Sequence, residues 1–172
     1  PVGVVGLAAG DYIESDLRNL PVIATTTLVF GILLGLADRY AARRKAGRAL
    51  TLSTALAIGF AQALAPVPGV SRSGITITAA LFLGMDRQGA ARFSFLLSIP
   101  VIASAGVLKG WELLQGSTEV YWWPLALGAL VSGVTAYLCI ALFLRLLDRL
   151  GLMPFVYYRV ILAIVLYSLW LA

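Results

Sequence analysis

Pro66, Pro68, Gly69, Ser71, Arg72, Ser73, Gly74 and Thr76 crowd into residues 65–76, in the middle of an intensely apolar chain. The flanking runs are short. Residues 50–65 would reach about 24 Å as a helix and residues 75–84 about 15 Å. A membrane's hydrocarbon core is about 30 Å thick, so neither run crosses it alone. Two short helices around a polar break predict a re-entrant helix-loop-helix over residues 50–84. Lipid cannot satisfy the backbone groups of such a break, so the loop must be buried in protein or line a wet cavity.

The rest of the chain supports a membrane setting. It is 60% hydrophobic and 12% charged, against roughly 45–50% and about 25% in soluble domains. Residues 20–37, 93–108, 125–144 and 154–171 are each long and apolar enough to span. The expected fold is an all-α integral membrane domain over 1–172, with four transmembrane helices plus the re-entrant hairpin at 50–84. Pro100 is expected to kink the second span. Gly128, Ala129, Ser132, Gly133 and Ala136 give the third span small residues for close helix packing. Polar loops are expected at 10–19 and 109–120. Trp111, Tyr121, Trp122 and Trp123 fit an interfacial aromatic belt.

Charge sets the orientation. The net charge is +5, and most of the excess sits in short loops. With Arg43, Arg44 and Lys45 inside, a hairpin over 50–84 also places residues 86–92 and the Arg145/Arg149 segment inside. The acidic, Trp-rich stretch 109–120 then lies outside. A single crossing over 50–84 would put Arg145 and Arg149 on the outer side, against the positive-inside rule. The chain has no basic stripe interleaved with aromatics, so no nucleic-acid partner is expected.

Several chemistries are excluded or weakened. The chain has no histidine, which removes the commonest general base and metal ligand. Cys139 is alone, so it forms no intrachain disulfide, and it reads as a small buried hydrophobe. Asp11, Glu14 and Asp16 read better as an interfacial loop than as catalytic groups. No signal peptide is visible. An opening inside an apolar run (2–9) predicts that an N-terminal part of a longer protein lies outside this sequence.

The break itself reads as an anion site. Arg72 at membrane depth needs a partner, yet the nearest acids are Asp86 and Asp38. A guanidinium without a carboxylate suits phosphate oxygens. Gly69 and Gly74 let the backbone approach a ligand, and a helix starting near Ile75 would aim its first N–H groups at it. Ser71, Ser73 and Thr76 add hydroxyls. The plainer alternative is a structural loop with serines capping the helix. A serine nucleophile would need a base that this chain does not supply. Gln62 is a candidate cavity-lining hydrogen-bonder, with a packing role as the alternative. The Gly-Lys-Ser/Thr ending of a Walker loop is absent. So is the type 2 phosphatidic-acid phosphatase pattern, whose histidine position holds Thr78. Paired broken helices also mark secondary transporters, so the alternative function is a transporter or lipid flippase half with a re-entrant anion-binding loop.

Residues 68–76, preceded by 62–65, resemble the second signature of the undecaprenyl-diphosphate phosphatase family, the bacitracin-resistance membrane proteins. Residues 92–100 resemble the family's next block, and Phe155, Tyr158 and Arg159 its last helix. The resemblance implies an enzyme of the bacterial inner (plasma) membrane that hydrolyses undecaprenyl diphosphate to the monophosphate, recycling the lipid carrier for peptidoglycan. It implies two inverted repeats, each with a re-entrant helix pair, meeting at one active site, and this chain would be the second. Ser71, Arg72 and Thr76 match the phosphate-contacting positions, and Gly69, Ser73 and Gly74 belong to the same loop. The first repeat, with its Glu-x-x-x-Glu motif, Ser and His, is absent here. A divalent cation, Mg²⁺ or Ca²⁺, would have its ligands in that missing N-terminal repeat, and the present piece would be inactive alone. The implied partners are an isoprenyl diphosphate lipid, the membrane and the missing repeat; a homo-oligomer is compatible with all of this.

Overall fold

The computed structural model describes residues 1–43, 47–115 and 122–171. Among these the chain is all helix. The elements are α1 (Val2–Ser15), α2 (Leu20–Ala42), α3 (Leu52–Ala61) with a 3₁₀ turn at Gln62–Leu64, α4 (Arg72–Phe82), α5 (Arg87–Gln115), α6 (Trp122–Leu150) and α7 (Met153–Leu171). Four of them, α2, α5, α6 and α7, are long and apolar enough to cross a membrane. The chain is therefore a multi-pass membrane protein by length and composition.

Several boundaries differ from expectation. Residues 10–15 continue α1, residues 109–115 continue α5, and Arg145 and Arg149 lie inside α6. A polar residue does not end a helix unless it offers a better backbone partner than the next turn. Lys109 and Glu112 instead pair across one turn at 2.7 Å. Helix α5 also runs on through Pro100. Arg44, Lys45, Glu119 and Tyr121 lie outside the described residues. Trp111, Trp122 and Trp123 are exposed, as an aromatic belt requires.

Helix starts are set by side chains. Asn19 caps α2, its Oδ1 accepting from the Val22 amide at 3.0 Å, and Thr51 caps α3 through the Thr54 amide. Such caps contribute on the order of 1 kcal/mol each. Helix α4 begins at Arg72, three residues before the expected start, because Ser71 caps it through the Gly74 amide at 3.3 Å.

The core joins α2, α4 and α7 with the adjoining ends of α5 and α6. Leu34, Ile77, Leu81, Leu147, Leu152 and Val156 are buried together there. Helices α2 and α7 share the most extensive contact. Gly31 and Gly35, four residues apart, are what allow it. A methyl on Gly31 would lie 3.1 Å from Arg159 Cβ, and one on Gly35 would lie 3.2 Å from Val156 Cγ1. Small residues at this spacing let helix backbones approach in a membrane.

One end of the bundle is closed by charge. Asp38, 1% exposed, receives both Arg87 Nε (2.6 Å) and Arg87 Nη2 (2.9 Å). Gln88 Nε2 donates to Asp148 at 2.6 Å and to the Leu144 carbonyl at 3.0 Å. The end of α2, the start of α5 and the end of α6 are each held by these contacts. Arg48 N donates to the Gly84 carbonyl at 2.7 Å, so the segment 48–84 starts and finishes at this same end.

The other halves of α5 and α6 leave this core. The small-residue stretch of α6 is exposed throughout, and nothing approaches Gly128 or Gly133 within 4 Å. The packing expected from that stretch is not made within the described chain. Cys139 lies on the same exposed length rather than buried. Composition marks a helix as able to pack closely, but not which neighbour it meets.

The α2–α7 approach gives a direct check. Gly35→Leu would force Val156 aside and should cost about 1–3 kcal/mol by overpacking, read as a lower unfolding midpoint in detergent. An unchanged midpoint would mean that α7 does not lie against α2 in this register.

Candidate functional site

The segment between α3 and α4 is built into α2 by its backbone. Gly69 has φ +88°, a conformation that favours glycine. A Cβ there would also collide with the Thr26 hydroxyl and the Ile23 carbonyl. Thr26 Oγ1 donates to the Pro68 carbonyl at 2.5 Å and Thr27 Oγ1 to the Gly69 carbonyl at 3.4 Å. Thr26 and Thr27 lie six and seven residues into α2, about 10 Å from its start. The break therefore sits well inside the length of a membrane-crossing helix.

Arg159 completes the clamp from α7. Its Nη2 donates to the Gly69 carbonyl at 2.5 Å and reaches the Val70 carbonyl at 3.4 Å, while Nε donates to the Thr27 carbonyl at 3.3 Å. The guanidinium fork suits several acceptors at once. Its Nη1 faces the first turn of α4, 3.5 Å from where a Gly74 side chain would begin. The same missing Cβ would lie 3.2 Å from Ser71 Oγ. Gly74 thus keeps open a gap between the Ser71 hydroxyl and the Arg159 guanidinium. Ser71, Ser73, Gly74 and Arg159 line a cavity of about 170 Å³ there.

Ser71 is held in an unusual backbone conformation, φ 62° and ψ 112°, the one positive-φ residue other than glycine among those described. Such a conformation costs of order 1–3 kcal/mol. It turns the chain into α4 and leaves the Ser71 side of the first turn accessible.

The expected site residues divide between two faces of α4. At 100° per residue, Gly74 and Ile77 share one face with Ser73 at its edge, while Arg72 and Thr76 lie more than a quarter-turn from both Gly74 and Ile77. Thr76 is 1% exposed. Its hydroxyl bonds Ser94 Oγ of α5 at 2.7 Å and lies 3.0 Å from the Arg72 carbonyl. It braces the first turn and does not line the cavity. Arg72 is half-buried and makes no ion pair among the described residues. Asp38, one of the two nearest acids in sequence, is taken by Arg87. Arg72 Nη1 is buried without a hydrogen-bond partner, as is Gln62 Oε1 in the 3₁₀ turn. Gln62 is itself buried, and Gly69 shapes the loop from behind.

The sequence alone assigned Arg159 nothing beyond a place in a family block. The signal was nevertheless present: it is the single charge in residues 154–171, and an ionisable residue inside a span demands a function or a partner.

With this geometry in view, the relatives are informative. The sequence matches the family described as bacitracin resistance protein BacA over residues 1–165. The chain belongs to that family. Similar proteins include those of Chromohalobacter salexigens (59% identity over 172 residues, all of this chain and 64% of the relative) and Alcanivorax borkumensis (55% over 172 residues, all of this chain and 64% of the relative). That of Teredinibacter turnerae is 54% identical over 167 residues, 97% of this chain and 63% of the relative. All three are named undecaprenyl-diphosphatase. The chain spans a little under two thirds of their length. The family inferred from residues 68–76 and 92–100 is thus the one the chain matches along nearly its whole length.

The clamp can be tested without activity. Arg159→Lys keeps the charge but cannot bridge three carbonyls. Losing a charged hydrogen bond costs about 1.5–3 kcal/mol, so the amides of residues 69–71 should exchange with deuterium at least about tenfold faster, while α2 and α7 keep their protection. Unchanged exchange would remove Arg159 from the support of the loop.

Proposed function

We propose that this chain forms the diphosphate-binding half of an undecaprenyl-diphosphate phosphatase of the bacterial inner membrane, a protein that hydrolyses undecaprenyl diphosphate to undecaprenyl phosphate. The observation that carries the reading is Arg72 Nη1, buried at the break and without a partner. A buried guanidinium nitrogen without a partner is costly, and a phosphate oxygen satisfies it. Arg159 brings a second guanidinium to another face of the same helix start. Two cations flanking one helix N-terminus suit a ligand with two linked phosphates. The relatives' names supply the lipid.

In this reading 50–84 is a re-entrant hairpin. The Arg48–Gly84 hydrogen bond, which brings its two ends together, supports that topology. So does the length of α3 and α4, ten and eleven residues. The hairpin is one of two in an inverted-repeat protein, and its tip meets the other repeat at the site.

The reaction adds a water oxygen to the terminal phosphorus and breaks the bridging P–O bond. The electron pair stays on the lipid phosphate oxygen, and inorganic phosphate leaves. The residues of this chain bind and orient. Arg72 and Arg159 neutralise the phosphates, while the Ser71 and Ser73 hydroxyls and the first-turn amides of α4 donate to their oxygens. Activation of the water falls to the other repeat, since this chain has no histidine. Among the described residues no three of His, Cys, Asp and Glu come together. They do not fit a divalent-cation site by themselves, and no step here runs through a metal.

The test uses the full-length parent protein. Arg72→Ala should lower phosphate release from undecaprenyl diphosphate by on the order of 10²-fold or more, the usual effect of removing one donor to developing charge. Arg72→Lys should fall between. A wild-type rate for Arg72→Ala would sink the assignment. Wild-type protein that moves the lipid and releases no phosphate would be a transporter or flippase instead.

A further inference from the structure

Beyond its polar mouth, the cavity beside α4 is apolar. Leu34, Ile77, Phe143, Leu152 and Phe155 form its walls. Leu34 lies one turn beyond Gly31 on α2, and Leu152 immediately precedes α7, two turns before Arg159. The cavity therefore extends from the guanidinium toward the Asp38 end of the bundle. Its aromatic side is a packed cluster of rings. The Phe143 ring meets Phe95 edge-on at 5.5 Å and Phe155 at 4.9 Å. A ring stack of this kind resists collapse into the empty space.

Size and polarity together restrict the occupant. An apolar cavity of about 150 Å³ lined by Leu, Ile and Phe accepts a benzene-sized group. The 170 Å³ here includes the polar mouth, so its apolar part is of the size of a single five-carbon unit. An inorganic anion would use Ser71, Gly74 and Arg159 and leave the walls bare. A plain hydrocarbon would leave the guanidinium unused. An anionic head joined directly to a branched apolar carbon chain uses both.

We infer that this cavity seats the first isoprenoid unit of the lipid, the one bonded to the phosphate, and that Phe143 and Phe155 are specificity-determining residues. The inference rests on the diphosphate reading above and adds to it where the chain attached to the phosphate goes. Its direct consequence is that the site distinguishes an isoprenyl diphosphate from a tail-less one before the remaining lipid is engaged.

Two measurements on the full-length protein test this. First, turnover of undecaprenyl, farnesyl and methyl diphosphate is compared in wild type and Phe155→Trp, which reduces the cavity. KM for both isoprenyl substrates should rise at least about tenfold, with a loss for methyl diphosphate at least tenfold smaller. Equal losses for all three, or an unchanged isoprenyl KM in a protein with wild-type unfolding midpoint, would overturn the inference. Second, a farnesyl diphosphate analogue carrying a diazirine on its first isoprene unit is photolysed on the wild-type protein. Labelling should fall on the peptides holding Ile77 and residues 143–155, and labelling confined to other segments overturns the inference even if Phe155→Trp fails to fold. Labelling of the cavity without phosphate release would uphold the seat and refute the phosphatase reading.

Discussion

A break in a helix inside apolar surroundings exposes carbonyls that lipid cannot satisfy. Everything around the site follows from how those carbonyls are supplied with donors. Thr26 takes the Pro68 carbonyl, Thr27 the Gly69 carbonyl, and Arg159 reaches across from α7 to Gly69 and Val70. That reach requires α7 to lie close against α2, which Gly31 and Gly35 permit. The polar loop is thus held from two membrane-crossing helices at once. A loop held this way keeps the first turn of α4 in one place, which is what preorganised binding of a charged group needs.

The same arrangement separates two kinds of residue at the loop. Ser73 and Gly74 face the cavity with Ser71 and Arg159, while Thr76 faces α5 and engages Ser94 through its hydroxyl. Arg72 sits on neither contact, with a buried nitrogen left over. One helix start therefore has a satisfied supporting face, a cavity face and an unsatisfied cation. The charged end at Asp38 and Arg87 is far from this, about 16 Å along α2 from Thr27. It ties the bundle where the loops gather, away from the break.

The four spans and the broken segment were legible because run length and hydropathy are local properties. The break around 65–72 was legible because proline, glycine and a charge together do not fit an uninterrupted membrane span. Boundaries were less so: residues 10–15, 109–115 and 145–150 carry charges yet remain helical, since hydrogen bonding within the helix continues where no capping residue competes. Arg159 went unassigned because its acceptors, Gly69 and Val70, lie some ninety residues away in the chain.

By itself the sequence determined an all-α membrane chain, a polar break between runs too short to cross, and an arginine there without a carboxylate. Those follow from composition and spacing along a single line. Tertiary structure alone decided that a second arginine holds the break and that Thr76 braces rather than lines the cavity. It also decided that α6 leaves its small residues uncovered within this chain. These depend on which helix faces lie within hydrogen-bond reach of one another, and periodicity names the faces without naming their neighbours.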